Sequence, residues 1–535
     1  MSFVRPARPL PESSRAPKLT RLVDYPRHWA GRAPEREAVV FGDLRWTYGE
    51  LAPRIDACAA GLLAAGVRPG DRVATLSSPH PDYYVTFLAT TSIGAIWLGL
   101  NPRYQRRELD YAVTDATPTL VFARTTIEGR DYRDELAGLA VHECVGQIVL
   151  LDTAGAGGLV KAMSMADFLA GGKTVSDDRL EAARQAIDPD APALIVYTSG
   201  TTGRPKGALI NQTSLVHVAR VQHAIWPVDP LRVINNMPIN HIGCVGDITV
   251  DTLVPGGTIV FQERFDPEAM LEAVERERIT FFGHVPTALQ LITSSPRWAT
   301  TDFSTVQLII WEGAAAPVDL IHRLRAKCPA LANAYGMTET VGSVTFTFDA
   351  DEMETLADSV GWPVPDYRLR IANEDAPVAK GEPGEIQVKG SFVTLGYWNK
   401  PEATRELFTA SGWLRTGDLA VERPNGSYQL IGRLKEMFKS GGYNVYPREI
   451  ELVLESHPDV AMAAVIGVAD PLYQEVGHAF VLVPAGKTVS AEDLAAHCRE
   501  RLANYKVPKR FIVAAEFPML PIGKIDKQAL RAQTG

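Results

Sequence analysis

Apolar and polar positions along this chain alternate between two rhythms. Short apolar runs bounded by Gly, Pro and Asp predict buried strands at 72–76, 95–100, 193–196 and 207–210. Longer stretches with apolar and aromatic positions lie between them and predict helices, at 82–93 and from Arg107 onward. Thr47 followed by Glu50 is a capping-box pattern, so a helix should begin there and run to Ala65. Pro53 falls inside that helix and predicts a kink or a delayed start. Asn211 caps a further helix, and strands at 281–286 and 309–317 end in small residues. Residues 125–190 mix strands around a Gly-rich turn at 154–158 and carry no chemical motif. Strand and helix alternate at the spacing of an α/β fold, with a mostly parallel sheet covered by helices. Beyond Gly432 the rhythm changes: a helix at 447–456, strands at 460–468 and 477–483, a helix at 491–503 and a short strand at 510–513. That pattern predicts a separate α+β unit of about one hundred residues.

Length and composition narrow the picture. The chain has 535 residues, too many for one core, and its 46% apolar and 22% charged residues suit a globular protein of several units. A formal charge of −9 argues against a nucleic-acid partner. Cys58, Cys144, Cys244, Cys328 and Cys498 include no CxxC pair, so they predict reduced thiols in a cytoplasmic protein without a zinc site. Residues 1–18 hold four prolines and no apolar core, predicting an extended arm and no secretory signal. No run of 18 apolar residues predicts a transmembrane segment.

Three stretches carry chemistry. Tyr197-Thr-Ser-Gly-Thr-Thr-Gly-Arg-Pro-Lys-Gly207 follows a strand and precedes another. Its glycines, Gly200, Gly203 and Gly207, let backbone N–H groups approach a phosphate. Thr198, Ser199, Thr201 and Thr202 add hydroxyl donors, and Lys206 adds a mobile point charge. This is the chemistry of a triphosphate clamp, but not of a Walker A loop, which opens a helix. Asn333-Ala334-Tyr335-Gly336-Met337-Thr338-Glu339 offers an aromatic face for a base, a hydroxyl for a phosphate and a carboxylate for Mg2+. Trp413-Leu-Arg-Thr-Gly-Asp418 places a carboxylate after a glycine turn, suited to the two hydroxyls of a ribose. Singly, His241 between Pro and Gly, and Lys524 on a glycine turn, are what surfaces and cores commonly hold.

Taken in order, these motifs resemble the adenylate-forming superfamily, and within it the acyl-CoA synthetases. The resemblance runs from Trp46-Thr-Tyr to Gly523-Lys524, nearly the whole chain. It implies a large N-terminal domain of layered α/β subdomains with a small β-barrel-like part, residues 19–432. A hinge at 433–436 and a small mobile α+β domain, 437–535, would follow. The implied reaction joins a small-molecule carboxylic acid to coenzyme A, using ATP and Mg2+, through an acyl-adenylate. By the same resemblance the 197–207 loop holds the β- and γ-phosphates. Gly313, Ala314 and Ala315 with Asn333 to Gly336 enclose adenine, Tyr335 on its face. Thr338 touches the α-phosphate, Glu339 with Thr198 carries Mg2+, and Asp418 and Arg433 hold the ribose. Lys524 matches the catalytic lysine of adenylation and Lys435 the hinge position. Lys439, Ser440, Gly441 and Gly442 match the coenzyme A passage, and His241 the aromatic gate beside it. A homodimer is compatible with the resemblance.

One departure stands out. Where many relatives carry two glycines after the strand, this chain has Glu312-Gly313 preceded by Trp311. The acyl pocket would then be lined by His241, Trp311, Glu312, Gly313 and Met337, with Trp311 limiting its length. The alternative is that Trp311 and Glu312 point into the packing of the sheet. Two other functions fit the same fold: an adenylating enzyme that passes its acyl group to a carrier-protein thiol or dioxygen, and a non-catalytic acyl or nucleotide sensor. The presence of Lys524, Glu339 and Asp418 disfavours the sensor.

Overall fold

The computed structural model describes residues 16–198, 205–348, 352–484, 486–519 and 525–533. Among them, two large sheets share one buried layer of helices. The first sheet has nine strands, ordered Trp362–Pro363, Gly342–Phe346, Leu331–Met337, Leu308–Glu312, Phe281–His284, Arg232–Asn235, Thr258–Phe261, Glu37–Phe41 and Leu44–Thr47. Its central strands are parallel. The second has seven, ordered Lys206–Asn211, Pro192–Thr198, Ile96–Leu100, Arg72–Leu76, Leu120–Ala123, Gln147–Leu150 and Ala162–Ser164. Val39, Ile259 and Phe261 of the first sheet and Val73, Trp97 and Leu194 of the second meet in one core. The helices Tyr48–Ala64, Pro81–Thr91 and Gln212–Ile225 supply the rest of that layer. Ligand-binding crevices of such sheets lie beyond the C-terminal ends of the parallel strands.

Local sequence explains the main elements. The Thr47 side chain accepts from the Glu50 N–H, and Glu50 reaches back to the Thr47 N–H at 2.9 Å, closing the capping box. The helix starts at Tyr48 despite Pro53, so the proline does not delay it. The cap satisfies the first-turn donors, and Leu51, Ile55, Cys58 and Leu62 bury its inner face. The Asn211 side chain accepts from the Ser214 N–H at 2.8 Å, as its position after a strand predicts.

A third, antiparallel sheet of five strands includes Arg368–Asn373, Gly384–Lys389, Leu414–Glu422 and Tyr428–Arg433. It packs through Ile371, Ile386 and Tyr428 on the first sheet's Tyr335 and Val344. Beyond it the helix Pro447–Glu455 covers the hairpin Met462–Asp470/Gln474–Leu482, with Arg510–Ala514 added in parallel. Its contacts with the rest of the chain include two side-chain hydrogen bonds. Arg448 Nη2 donates to the Ala315 carbonyl at 3.2 Å, and Gln290 Nε2 donates to the Ala461 carbonyl at 3.2 Å.

Candidate active site

The clamp motif sits where two antiparallel strands end. Thr198 pairs with Lys206 as the last register partners of Pro192–Thr198 and Lys206–Asn211. Ser199, Gly200, Thr201, Thr202 and Gly203 lie outside the described residues, so only the frame of the loop is on view. That frame is well anchored. The Tyr111 hydroxyl donates to the Pro205 carbonyl at 2.8 Å, and the Tyr197 hydroxyl donates to Asp115 Oδ2 at 2.9 Å.

A segment that the sequence reading passed over completes the frame. Residues 394–398 run along the outer edge of Lys206–Asn211: Leu395 N–H donates to the Leu209 carbonyl at 2.9 Å, and Trp398 N–H to the Gly207 carbonyl at 2.8 Å. This registers Tyr397 beside Lys206, whose Nζ lies 5.3 Å from the centre of the tyrosine ring. The Tyr397 hydroxyl donates to Glu339 Oε1 at 2.6 Å. Thr394 N–H donates to the Glu339 carbonyl at 2.8 Å, tying down the same residue. Glu339 is only 4% exposed. Burial pushes its carboxyl above the ordinary range, and the Tyr397 hydrogen bond offsets part of that.

The ribose candidate is equally built. The glycine turn expected before Asp418 is an irregularity inside a long strand: Gly417 adopts φ +72° within Leu414–Glu422. Asp418 is buried there, its Oδ1 2.9 Å from Arg433 Nε and its Oδ2 accepting from the Tyr335 hydroxyl at 2.8 Å. Tyr335, Asp418 and Arg433, drawn from three separate stretches of the chain, thus form one connected group. Gly336 has no room for a side chain, since a Cβ would lie 2.0 Å from the Gly342 carbonyl oxygen. Thr338 and Glu339 follow in a single 3-10 turn. Val341 closes it in the left-handed region, φ +67°, a strained state for a β-branched residue. Gly313 also takes a left-handed φ, +85°, and carries the chain into the exposed Ala314 and half-buried Ala315.

Two expectations need correction. Trp311 does not limit an acyl pocket. It is 1% exposed and packs with Leu271, Phe282, Leu289, Ile292 and Leu320, on the face of the sheet covered by the helices Pro267–Arg276, Pro286–Ser294 and Val318–Arg325. The strand's alternation sends Leu308, Ile310 and Glu312 to the other face, which carries Tyr335 and Phe281. Nor is the Asn333 side chain directed at a base. Its Nδ2 donates to the Leu356 and Ser359 carbonyls at 2.9 and 3.1 Å, because the side chain lies on the Trp311 side of its own strand.

The remaining candidates are spread out. His241 Nδ1 accepts from the Gly243 N–H at 3.0 Å and so starts the π-helical turn Gly243–Val250, a type of turn frequent at functional sites. Met337 ends the strand Leu331–Met337. Lys439 and Ser440 precede Gly441 and Gly442 in a tight hairpin, with both glycines at left-handed φ, +57° and +87°. The hairpin tip is exposed and stands in the C-terminal unit. Lys435 is exposed, two residues beyond Arg433. Lys524 lies outside the described residues.

Mg2+ suits this donor set. Among the described residues no group of three His, Cys, Asp or Glu side chains could cage a metal. Mg2+ is commonly bound by one or two carboxylates together with phosphates. Glu339, buried at the strand ends with one oxygen steadied by Tyr397, would fit that role.

Comparison with known proteins agrees with the geometry. The AMP-binding enzyme profile matches residues 26–398, and the profile of the AMP-binding enzyme C-terminal domain matches residues 449–524. The chain belongs to the AMP-binding enzyme family. It is an AMP-forming acyl-CoA synthetase that uses ATP, Mg2+ and coenzyme A. The synthetase is 37% identical over 516 residues to a feruloyl-CoA synthase of Amycolatopsis, covering 96% of this chain and 99% of that one. It is 33% identical over 520 residues to an indoleacetate–CoA ligase of Aromatoleum aromaticum, covering 96% and 98%. ATP-bound MatB from Rhodopseudomonas palustris superposes with a TM-score of 0.84 at 29% identity, covering 96% of the synthetase and 98% of MatB.

Proposed function

We propose that the synthetase activates a monocarboxylic acid in the crevice between Lys206, Glu339 and Asp418. The observation that carries this is the convergence of Lys206, Tyr397 and Glu339 on one side and Tyr335, Asp418 and Arg433 on the other, at the ends of the strands. Carboxylate and triphosphate are both anions, so the site must neutralise charge and align an in-line attack on the α-phosphorus. Lys206 brings a cation to the phosphates, and the Tyr397 ring beneath it keeps it over the site. Asp418 has its plane fixed by Tyr335 and Arg433, and its remaining lone pairs accept the ribose hydroxyls. Thr338 donates to the α-phosphate. Glu339 would hold Mg2+, which would supply positive charge to the triphosphate oxygens. Lys524 is assigned to the transferring phosphoryl group on its motif alone.

The hinge at 433–436 is part of the same proposal. Glu436 and Met437 N–H groups donate to the Arg433 carbonyl at 3.0 and 3.1 Å, making a tight turn between the two units. Lys527 bridges Glu436 at 2.6 Å and Glu451 at 2.7 Å, which ties the far side of the turn to the C-terminal unit. Rotation there would bring Ser440, Gly441 and Gly442 to the crevice for the thioester step. The small cross-section of Gly441 and Gly442 leaves space for pantetheine. Among the described residues no helix is long and apolar enough to cross a membrane. We place the enzyme in the cytoplasm on its five free cysteines.

Pyrophosphate release from ATP over a panel of acids, with and without coenzyme A, tests the reading. Acid-dependent release limited to about one equivalent per site without coenzyme A, and sustained turnover with it, is the expected result. Release that ignores the acid would overturn it.

A further inference from the structure

A line of acidic side chains descends from the crevice along the π-helical turn. Glu312 ends its strand on the face opposite Trp311, and its Oε1 accepts from the Ser343 hydroxyl at 3.1 Å. Asp247 faces the neighbouring backbone: a Cβ on Gly342 would lie 2.5 Å from Asp247 Oδ1, so only glycine there admits the carboxylate. Asp251, four residues and about one helical turn further on, continues the line. At its foot a small recess is lined by Asp247, Asp251, Gln222, His223, Trp226 and Phe281. Phe281 begins its strand whereas Glu312 ends its own, so the line runs from the strand ends towards the depth of the sheet.

Three acceptor oxygens in this recess are shielded from solvent and have no hydrogen-bond partner: Gln222 Oε1, Asp247 Oδ1 and Asp251 Oδ2. Gln222 and Asp251 are each only 6% exposed. Unpartnered acceptors at this depth are costly, and a ligand bearing donors removes the cost. Burial raises the Asp251 carboxyl well above its ordinary range, and the neighbouring carboxylates of Asp247 and Glu312 add to the effect. Burial likewise raises Asp247 well above its ordinary range and Glu312 to about 7.

We propose that Glu312, Asp247, Asp251 and Gln222 form a specificity subsite for a carboxylic acid whose distal end carries a hydrogen-bond donor, a hydroxyl or an ammonium group. The acid's carboxylate would lie by Thr338 at the strand ends, and its far end would reach towards Asp251 beside the paired rings of Trp226 and Phe281. This rests on the adenylation reading above and narrows its substrate class. A hydrocarbon acid would leave all three oxygens buried and unpaired. Sites built to hydrogen-bond a substrate group discriminate strongly against the analogue that lacks it.

The test compares three acids on one arylpropanoate skeleton: unsubstituted, para-hydroxyl and para-aminomethyl. Acid-dependent pyrophosphate release gives kcat/KM for each. At least one donor-bearing acid should exceed the unsubstituted acid by about 10²-fold or more in the native enzyme. Asp251→Leu should shrink that ratio at least about tenfold. Glu312→Gln, nearly isosteric, should shift it in the same direction, and thermal melts confirm that both variants are folded. Whichever donor acid leads identifies hydroxyl or ammonium as the group received. Equal kcat/KM for all three acids, or a ratio unchanged in both variants, overturns the subsite while leaving adenylation intact. No pyrophosphate release with any acid across a wider panel overturns the adenylation reading and the subsite with it.

Discussion

Replacing Tyr397 with Phe removes one hydroxyl from a site that otherwise keeps its shape. The ring remains beside Lys206, and the backbone pairing of 394–398 with Leu209 and Gly207 is untouched. What goes is the 2.6 Å hydrogen bond to Glu339 Oε1. Hydrogen bonds to charged groups contribute about 1.5–3 kcal/mol. Loss of this one should therefore lower the rate of adenylation by roughly 10- to 150-fold where ionised Glu339 limits it. The direction of the pH effect follows from the same bond. Burial raises the Glu339 carboxyl and Tyr397 lowers it, so the variant carboxyl titrates at still higher pH. The acid limb of the rate profile should move to higher pH, and more Mg2+ should be needed at neutral pH. Pyrophosphate release over a grid of pH and Mg2+ measures both, and Tyr397→Leu, which also removes the ring beneath Lys206, should be worse. Native and Tyr397→Phe profiles that superimpose in both dimensions would refute the assignment of Glu339 as the metal-binding carboxylate.

Three further outcomes are expected. Lys524→Ala should cut acyl-adenylate formation by at least ~10²-fold while thioester formation from supplied acyl-adenylate changes far less; equal loss in both half-reactions would remove the two-conformation scheme. Glu312 has a folded-state carboxyl raised from 4.5 to about 7, so its contribution to stability is present at low pH and is lost as pH rises through that value. Glu312→Gln should accordingly gain more in Tm over the native protein at pH 8 than at pH 5, and the opposite order in thermal melts would mean that the carboxyl is not raised. Trp311→Gly should lower stability by ~3–5 kcal/mol as a cavity in the core, with the order of preferred acids unchanged; a shift toward longer acids would return the indole to the pocket.

Much of the fold was legible because it is local. The capping box at Thr47, the Asn211 cap and the strand pair flanking the clamp each depend on residues a few positions apart. The motif residues Tyr335 and Asp418 were legible singly, but not the bond between them, which spans 83 positions. Tyr397 was missed for a related reason. It meets Glu339 across 58 positions, and an aromatic residue after a glycine carries no mark that separates it from ordinary packing. Its place is set by backbone pairing along the open edge of Lys206–Asn211, and that edge exists only once the hairpin has formed. The π-helical turn escaped as well, since eight residues are too few to distinguish its period from that of an α-helix. The acidic line along that turn escaped with it.

The pair at 311 and 312 shows where pattern stops and structure decides. A strand's two faces alternate with a period of two, so Trp311 and Glu312 had to point in opposite directions. Expecting both to line one pocket contradicted that geometry. Which of them faces the crevice is a question of phase, and the run Leu-Ile-Ile-Trp is apolar on both faces because parallel strands in such sheets are covered on both sides. The phase is fixed from outside the strand. Ile309 and Trp311 have large apolar partners in Phe282, Leu289 and Leu320. Glu312 instead has the Ser343 hydroxyl, on a face where Gly342 leaves room for Asp247. An indole of that size fits the helix-covered face, and a carboxylate would be stranded there without a donor. What this chain places beside Gly313, where the resemblance leads one to expect a second glycine, is therefore a polar group on the crevice face and not bulk. Its pocket is best probed by changing the polarity of the acid before changing its length.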